Sequence, residues 1–270
     1  MSLAEKLQEL KSIIAGCGSA VIAFSGGVDS SLVCAIAHEV LGDRALAITA
    51  VSPTYPPGEI DVARKVAEQI GIEHIVISTN ELDDSNFTSN PFERCYFCKS
   101  ELLRKLNEIR EEYGYRNILD GSNKDDLSDF RPGLRAAKEF GVISPLALAG
   151  LSKEEVRRLA AGYDLPNADK PSTPCLASRI PFGSEITPER LKRIAKAEGF
   201  LHSLDFRVVR VRDHGDLARV EVGRDELRKA FELRGEIAEN LKQLGYAFVT
   251  LDLEGYRSGS FNPRVKAQRS

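Results

Sequence analysis

The sequence has no tryptophan, one methionine and only four histidines among its 270 residues. His38, His74, His202 and His214 show no metal-ligand spacing, so they read as structural or surface residues, with His214 in a turn. No apolar run approaches the roughly 20 residues that span a bilayer. The opening MSLAEKLQELKSII is charged and amphipathic and lacks the apolar stretch of a signal peptide. A cytoplasmic protein with no membrane partner is the expectation. Aromatic residues are scarce, at 7%, and the net charge of −3 argues against a broad nucleic-acid surface, though not against a local basic patch. Internal repeats and low-complexity tracts are also missing. With 42% hydrophobic and 29% charged residues, the composition is that of a globular protein with one large domain or two smaller ones. Five cysteines in a reducing compartment read as thiols, metal ligands or redox groups rather than structural disulfides.

The most informative stretch is Val21 to Val33, VIAFSGGVDSSLV. Four apolar residues predict a buried strand, Ser25–Gly26–Gly27 a tight turn, and Val28–Asp29–Ser30 the opening of a helix. Such a junction makes an anion site. The glycines let backbone N–H groups approach a ligand, and the helix adds unpaired N–H groups and the positive end of its dipole. Ser25 and Ser30 can donate hydroxyls to phosphate oxygens. Asp29 repels a bare phosphate, so it is assigned to a divalent cation or to orienting the loop. The run is neither the lysine-bearing phosphate loop nor G-x-G-x-x-G.

Leu3, Leu7, Leu10 and Ile14 predict an initial helix. Ala45 to Val51 and His74 to Ile77 predict further strands, with a proline-rich loop and a helix over 61–70 between them. The β-α-β-α-β order of apolar strands predicts an α/β fold: a doubly wound parallel sheet with helices on both faces and ligands beyond the strands' C-terminal ends. Residues 78–97 read as irregular, 98–113 as a helix and 117–119 as a fourth strand. Another helix runs from Arg131–Pro132 to about Phe140. A fifth short segment is expected within 144–160, where Ser152 and Glu155 form a capping box. DKPSTPCLASRIPFG reads as an active-site loop and hinge. Thr187 and Pro188 then open a helix, followed by strands around His214–Gly215–Asp216, a helix over 225–244 and a last strand over 248–253. The expected organisation is a first domain of residues 1–178 and a smaller C-terminal α+β domain of residues 179–270, the latter for substrate binding and homo-oligomer formation.

Cys95 and Cys98 form a C-x-x-C at a helix start, and Cys175 lies in the proline-rich loop. Buried thiols, a metal site, a redox disulfide and a three-thiolate iron–sulfur cluster with one open iron are the competing readings. Zinc is poorly served, because neither loop offers a fourth ligand. Cys34 reads as core. Arg179, four residues after Cys175, is a candidate to activate a thiolate there. Lys99 is a candidate phosphate contact, and Gly121 ends a strand on the ligand side. Asp125 is a candidate metal or cap residue. Arg131 and Arg135 are candidates for phosphate or substrate. Arg210 and Arg212 share a strand face and are candidates to pair with anionic groups of a ligand.

FSGGVDSS resembles the PP-loop of the ATP pyrophosphatases (adenine nucleotide alpha hydrolase-like enzymes), which split ATP to AMP and pyrophosphate while adenylating a substrate. FSGGVDSS, RCYFCK, DGSNKDD, RPGLRAA and PCLASRIPFG, in that order, resemble the LarE family, PP-loop sulfur insertases of nickel-pincer nucleotide biosynthesis. The likeness continues through RVRDHGDLARVEV and GYRSGS. It implies ATP and Mg²⁺, adenylation of a pyridinium carboxylate mononucleotide, and displacement of AMP by sulfur to give a thiocarboxylate. A sulfur donor is then a partner. In one branch of the family the cysteine matching Cys175 gives up its own sulfur and becomes dehydroalanine. In another, three cysteines hold a [4Fe–4S] cluster carrying an extra sulfide; Cys95, Cys98 and Cys175 match that branch. Glu198 and Glu221 join the site through the resemblance. Left open are a tRNA thiolase, an amidating or ligating PP-loop enzyme, and a nucleotide-binding module without turnover.

Overall fold

The computed structural model describes residues 1–128, 132–170 and 173–257. In chain order its elements are α1 (Leu3–Gly16), β1 (Ala20–Ala23), α2 (Val28–Leu41), β2 (Ala45–Val51), α3 (Glu59–Ile70), β3 (Glu73–Ser78), α4 (Ser85–Thr88), α5 (Arg94–Glu112), β4 (Asn117–Leu119), α6 (Pro132–Glu139), α7 (Pro145–Leu148), α8 (Lys153–Gly162), α9 (Pro188–Ser203), β5 (Val209–Asp213), β6 (Leu217–Val222), α10 (Leu227–Glu232), α11 (Arg234–Gln243) and β7 (Phe248–Leu251). They group into two compact units. One comprises Met1–Ser52, Pro57–Asp84 and Glu93–Thr173; the other comprises Pro53–Pro56, Ser85–Phe92 and the chain from Pro174 onward.

In the first unit the strands form a parallel sheet of order β3-β2-β1-β4. Side-chain alternation sets its layers. Ala20, Ile22, Ala45 and Ala47 face one core with α1, α2, α3 and α8. Val21, Leu46, Ile48 and Ile118 face the other, against Leu103 and Leu106 of α5 and Ala136 and Ala137 of α6. Helices therefore cover both faces, as the continuous apolar strands require. The first core encloses α2 on nearly all sides, including Cys34. Burial drives the Cys34 thiol well above its ordinary pKa. Cys17, also buried, is raised by burial and bonds the Ile13 carbonyl at 3.3 Å.

Four elements depart from the sequence expectation, the first being the short α4 within the stretch 78–97 that reads as irregular. α5 begins at Arg94, a turn before Cys98, so both cysteines of the C-x-x-C are helical. No side chain caps this start, so local sequence carries no signal for it; packing of α5 against α6 supplies the order. The expected fifth segment reduces to one parallel bridge between Ile143 and Leu119, followed by α7. The expected helix over 225–244 breaks at Leu233 into α10 and α11, with Gly235 in the following turn. The capping box holds as expected: Ser152 and Glu155 close the start of α8, and Lys6 and the Ser152 amide draw the Glu155 carboxyl down to about 2.

The second unit carries a small sheet of order β5-β6-β7, antiparallel then parallel. Val209, Val211, Val220 and Val222 pack on Leu201, Phe206, Leu241 and Tyr246. Arg210 and Arg212 alternate with those valines and so occupy the opposite face of β5. Thr187 caps α9, with Pro188 in its first turn. Among the described residues no helix is long and apolar enough to cross a membrane.

Candidate active site

The site is built at the C-terminal end of β1. Gly26 turns the chain with φ +69°, and a Cβ there would lie 3.0 Å from Ala63 Cα on α3. Only glycine serves both the conformation and the approach. Gly27 takes the N-cap position of α2 without any side-chain cap, so the first N–H groups of α2 remain open to an anion. Ser25 Oγ and Ser30 Oγ lie 3.2 Å apart at this opening. From β4, Gly121 presses against the same helix start: a Cβ on it would stand 2.7 Å from Ser30 N. Its place in the site is thus a backbone contact that no larger residue allows. Behind the loop, Asn167 Nδ2 donates to Gly26 O and to Ser31 Oγ, each at 2.8 Å. Ser31 Oγ in turn donates to Gly27 O at 2.9 Å.

Asp29 sits on the first turn of α2 between Asn123 Nδ2, at 3.0 Å, and the Lys153 ammonium, to which it is ion-paired. Asp125 accepts the Lys153 amide at 2.8 Å and so closes the N-terminus of α8. Lys99 pairs with Asp120 at 3.2 Å. Burial pushes the Asp120 carboxyl up, but Lys99 and the donors of Ser144 and Ser122 outweigh it, leaving Asp120 below the usual carboxylate range. α6 approaches α5 at this point, with Gly133 against Cys95 O and Lys99 Cβ. Arg135 stacks 3.9 Å over the Tyr96 ring and reaches Glu139 at 3.7 Å. Arg131 lies outside the described residues.

Cys95 is exposed and Cys98 half-buried, and both belong to the first unit; Cys175, half-buried, belongs to the second. Among the described residues no three His, Cys, Asp or Glu side chains gather into a metal-holding group. Cys175 precedes a single helical turn over Leu176–Arg179. The Leu176 amide donates to Thr54 O at 2.7 Å, tying this turn to the short 53–56 segment. Arg179, 1% exposed, forms a two-pronged pair with Glu198 at 2.9 and 2.8 Å. Its remaining donors go to the carbonyls of Pro174 and Cys175, at 2.7 and 3.0 Å, and to Ser178 Oγ. Arg179 therefore clamps the peptides on either side of Cys175. Glu198 also accepts the Val211 amide of β5 at 2.9 Å. Next along that face, Arg212 pairs with Glu221 at 2.7 Å, and Arg219 reaches the other Glu221 oxygen at 2.9 Å. Arg210 is pushed below its ordinary pKa by burial and then by the nearby Arg179 charge. A cation so placed is eased by an arriving anion.

Asn167, Lys153 and Asp120 were not legible as site residues. Asp120 adjoins Gly121, but Lys153 hides inside a capping box and Asn167 in the short LPNAD turn, 141 residues from the carbonyl it holds.

A glycine turn that joins a buried strand to an open-ended helix, at the C-terminal edge of a parallel sheet, defines a PP-loop domain. Consistent with this, residues 19–89 match the asparagine synthase family. The chain is 47% identical over 262 residues to an uncharacterised protein of Synechocystis, covering 96% of this chain and 98% of that one. It is 36% identical over 269 residues to the pyridinium-3,5-bisthiocarboxylic acid mononucleotide synthase of Lactiplantibacillus plantarum, covering 99% of this chain and 98% of the relative. One subunit of the glutamine-hydrolysing GMP synthase of Archaeoglobus fulgidus is 27% identical over 199 residues, 67% of this chain and 63% of the relative. The chain belongs to the LarE family, that of the Lactiplantibacillus synthase.

Proposed function

We propose that the chain is an ATP-dependent sulfur transferase that converts a carboxylate of a pyridinium mononucleotide into a thiocarboxylate. The observation that carries the first half is the open N-terminus of α2 beside Ser25, Ser30 and two glycines, a cradle of fixed donors for a departing pyrophosphate. A substrate carboxylate oxygen attacks the α-phosphorus of ATP; the α–β bridging bond breaks, and pyrophosphate leaves into the cradle. The acyl-adenylate matters because AMP is a good leaving group where carboxylate oxygen is a poor one. A divalent cation would be held by Asp29, on exchange for its Lys153 partner, and would supply charge neutralisation on the phosphates. Lys99 and Arg135 carry positive charge from α5 and α6 for phosphate or substrate, and Arg131 is assigned the same role.

In the second half, sulfur at Cys175 attacks the acyl carbon, the carbon–oxygen bond to AMP breaks, and AMP departs. Arg179 and Glu198 fix the Cys175 backbone for this step. Arg210 and Arg212, the latter paired with Glu221, receive the mononucleotide's phosphate and second carboxylate. Support for this assignment comes from the depressed Arg210 and from the name of the Lactiplantibacillus relative.

The sulfur that Cys175 presents comes by one of two routes. Its own Sγ forms a thioester; loss of the Cα proton to a base then breaks the Cβ–S bond, releasing thiocarboxylate and leaving dehydroalanine. The alternative, a [4Fe–4S] cluster on Cys95, Cys98 and Cys175, is favoured by the placement of Cys95 and Cys98 one turn apart on α5. The three thiols form no metal-holding group among the described residues, whereas the route through the Cys175 sulfur needs none.

With ATP, Mg²⁺ and a pyridinium dicarboxylate mononucleotide, the wild-type chain is expected to release pyrophosphate and form thiocarboxylate. Cys175→Ser should still release pyrophosphate and form none. A Cys175→Ser enzyme that makes thiocarboxylate, or a wild type that releases no pyrophosphate, would overturn the proposal. Iron and sulfide analysis after anaerobic preparation separates the two routes, as does a loss of H₂S from the protein mass after turnover.

A further inference from the structure

We infer that Asn167 is a positioning residue that aims the Gly27 N–H into the phosphate cradle. The inference rests on the reading of this loop as the pyrophosphate site. Gly26 and Gly27 leave the peptide plane between them almost unrestrained, since neither has a Cβ to oppose a flip. That plane decides whether the cradle presents a donor or an acceptor. In a trans peptide the carbonyl and the N–H point in opposite directions, and the described chain has no cis peptide. Fixing the Gly26 carbonyl on one side therefore fixes the Gly27 N–H on the other.

Asn167 does the fixing. Its Nδ2 bonds the Gly26 carbonyl at 2.8 Å, from a residue only 4% exposed. Gly26 O only accepts, so the end of the amide that faces it must be the nitrogen. The second Nδ2 bond, to Ser31 Oγ at 2.8 Å, holds the amide in plane. Ser31 Oγ also donates to the Gly27 carbonyl at 2.9 Å, but Ser30 Oγ, at 3.0 Å, and the Ser31 amide hold that carbonyl as well, so the plane that depends on Asn167 is the one between Gly26 and Gly27. On the opposite side, the Gly27 N–H is directed to Ser25 Oγ at a long 3.4 Å. That donor is thus aimed at the serine face and only weakly engaged. Asn167 Oδ1, by contrast, has no hydrogen-bond partner among the described residues. A buried amide that leaves its acceptor unmet while both donor contacts are short is held in place for its donors.

The test compares Asn167→Ala and the isosteric Asn167→Asp with wild type. Asp keeps the volume but sets a carboxylate oxygen against the Gly26 carbonyl. Both variants should bind Mg²⁺–pyrophosphate about tenfold more weakly by calorimetry, the scale of one hydrogen bond to a buried partner, with Asp the weaker. KM for ATP should rise in parallel while KM for the carboxylate substrate stays put. Wild-type affinity in both variants, or an equal rise in both KM values, would overturn the inference. A readout independent of variant folding is the ¹⁵N–¹H resonance of Gly27 in the wild-type chain, which should shift on adding pyrophosphate; an unmoved resonance in a chain that binds pyrophosphate also overturns it. If the wild type binds neither pyrophosphate nor ATP, the reading of the loop fails instead.

Discussion

Gly121 and Arg179 show how much a single residue fixes. In sequence Gly121 reads as a ligand-side glycine, but its constraint is contact with α2: a Cβ would fall 2.7 Å from the Ser30 amide, too close for any real side chain. Gly121→Ala should displace the start of α2, weaken ATP binding at least tenfold on the scale of a lost preorganised donor, and lower the melting temperature. Unchanged pyrophosphate release by the alanine variant would refute this. Arg179 reads as a thiolate activator because it follows Cys175 at a helical interval. The structure closes its guanidinium on Glu198 and three oxygen acceptors of the 174–178 turn. Spacing indicates the neighbourhood but not the partners, because Glu198 arrives on α9 from 19 residues away. Arg179→Met leaves Glu198 buried without its partner and should cost about 3–5 kcal/mol. Urea titration of the variant reads that loss directly; a shift under about 1 kcal/mol, the value of an exposed pair, would show the clamp to be structurally idle.

Among the elements, those with a strong period or cap were legible and those ordered by packing were not. β1 and β2 declared themselves by continuous apolar residues, and α8 by Ser152 and Glu155. α5 starts earlier than expected because Arg94–Phe97 carry no apolar period, while tertiary contacts reward the extra turn. The consequence is chemical, since it places Cys95 in the same helix as Cys98. The cap of α8 also has a reach beyond the helix. Its first residue, Lys153, gives its amide to Asp125 and its ammonium to Asp29. Ser152→Ala should cost about 1 kcal/mol of stability, the usual worth of such a cap, and should raise KM for Mg²⁺–ATP by loosening Lys153. Chemical denaturation and ATP titration of one variant check both parts; a stability loss with no change in KM would detach the cap from the site.

At the scale of the whole chain, acid sensitivity should come in two stages. Burial holds the His74 and His214 imidazoles below their ordinary pKa, with Arg64 adding to the first and Arg219 to the second. Their folded forms stay neutral, so their contribution is present above the unfolded value of about 6.5 and begins to fall as pH drops through it. Asp120 and Asp213 are depressed despite burial, by Lys99 and by Arg193 and Arg190 respectively. Their contribution is present above about 4 and is lost as pH falls further. Melting temperature should therefore be level from about pH 8 to 7, decline from roughly 6.5 and drop again below about 4. His74→Gln should make the first decline shallower and leave the share of His214; a wild-type curve flat from about pH 7 to 5 would count against the assignment. The chain also sorts its own sulfur chemistry. Cys17 and Cys34 are sealed in the first core with raised thiols, and so should ignore an alkylating reagent under native conditions. Reagent uptake by the folded chain then reports on Cys95, Cys98 and Cys175 alone. The unmutated enzyme becomes its own counter: one lost label per turnover marks a sulfur surrendered by the protein, and a constant tally marks a sulfur merely passed along.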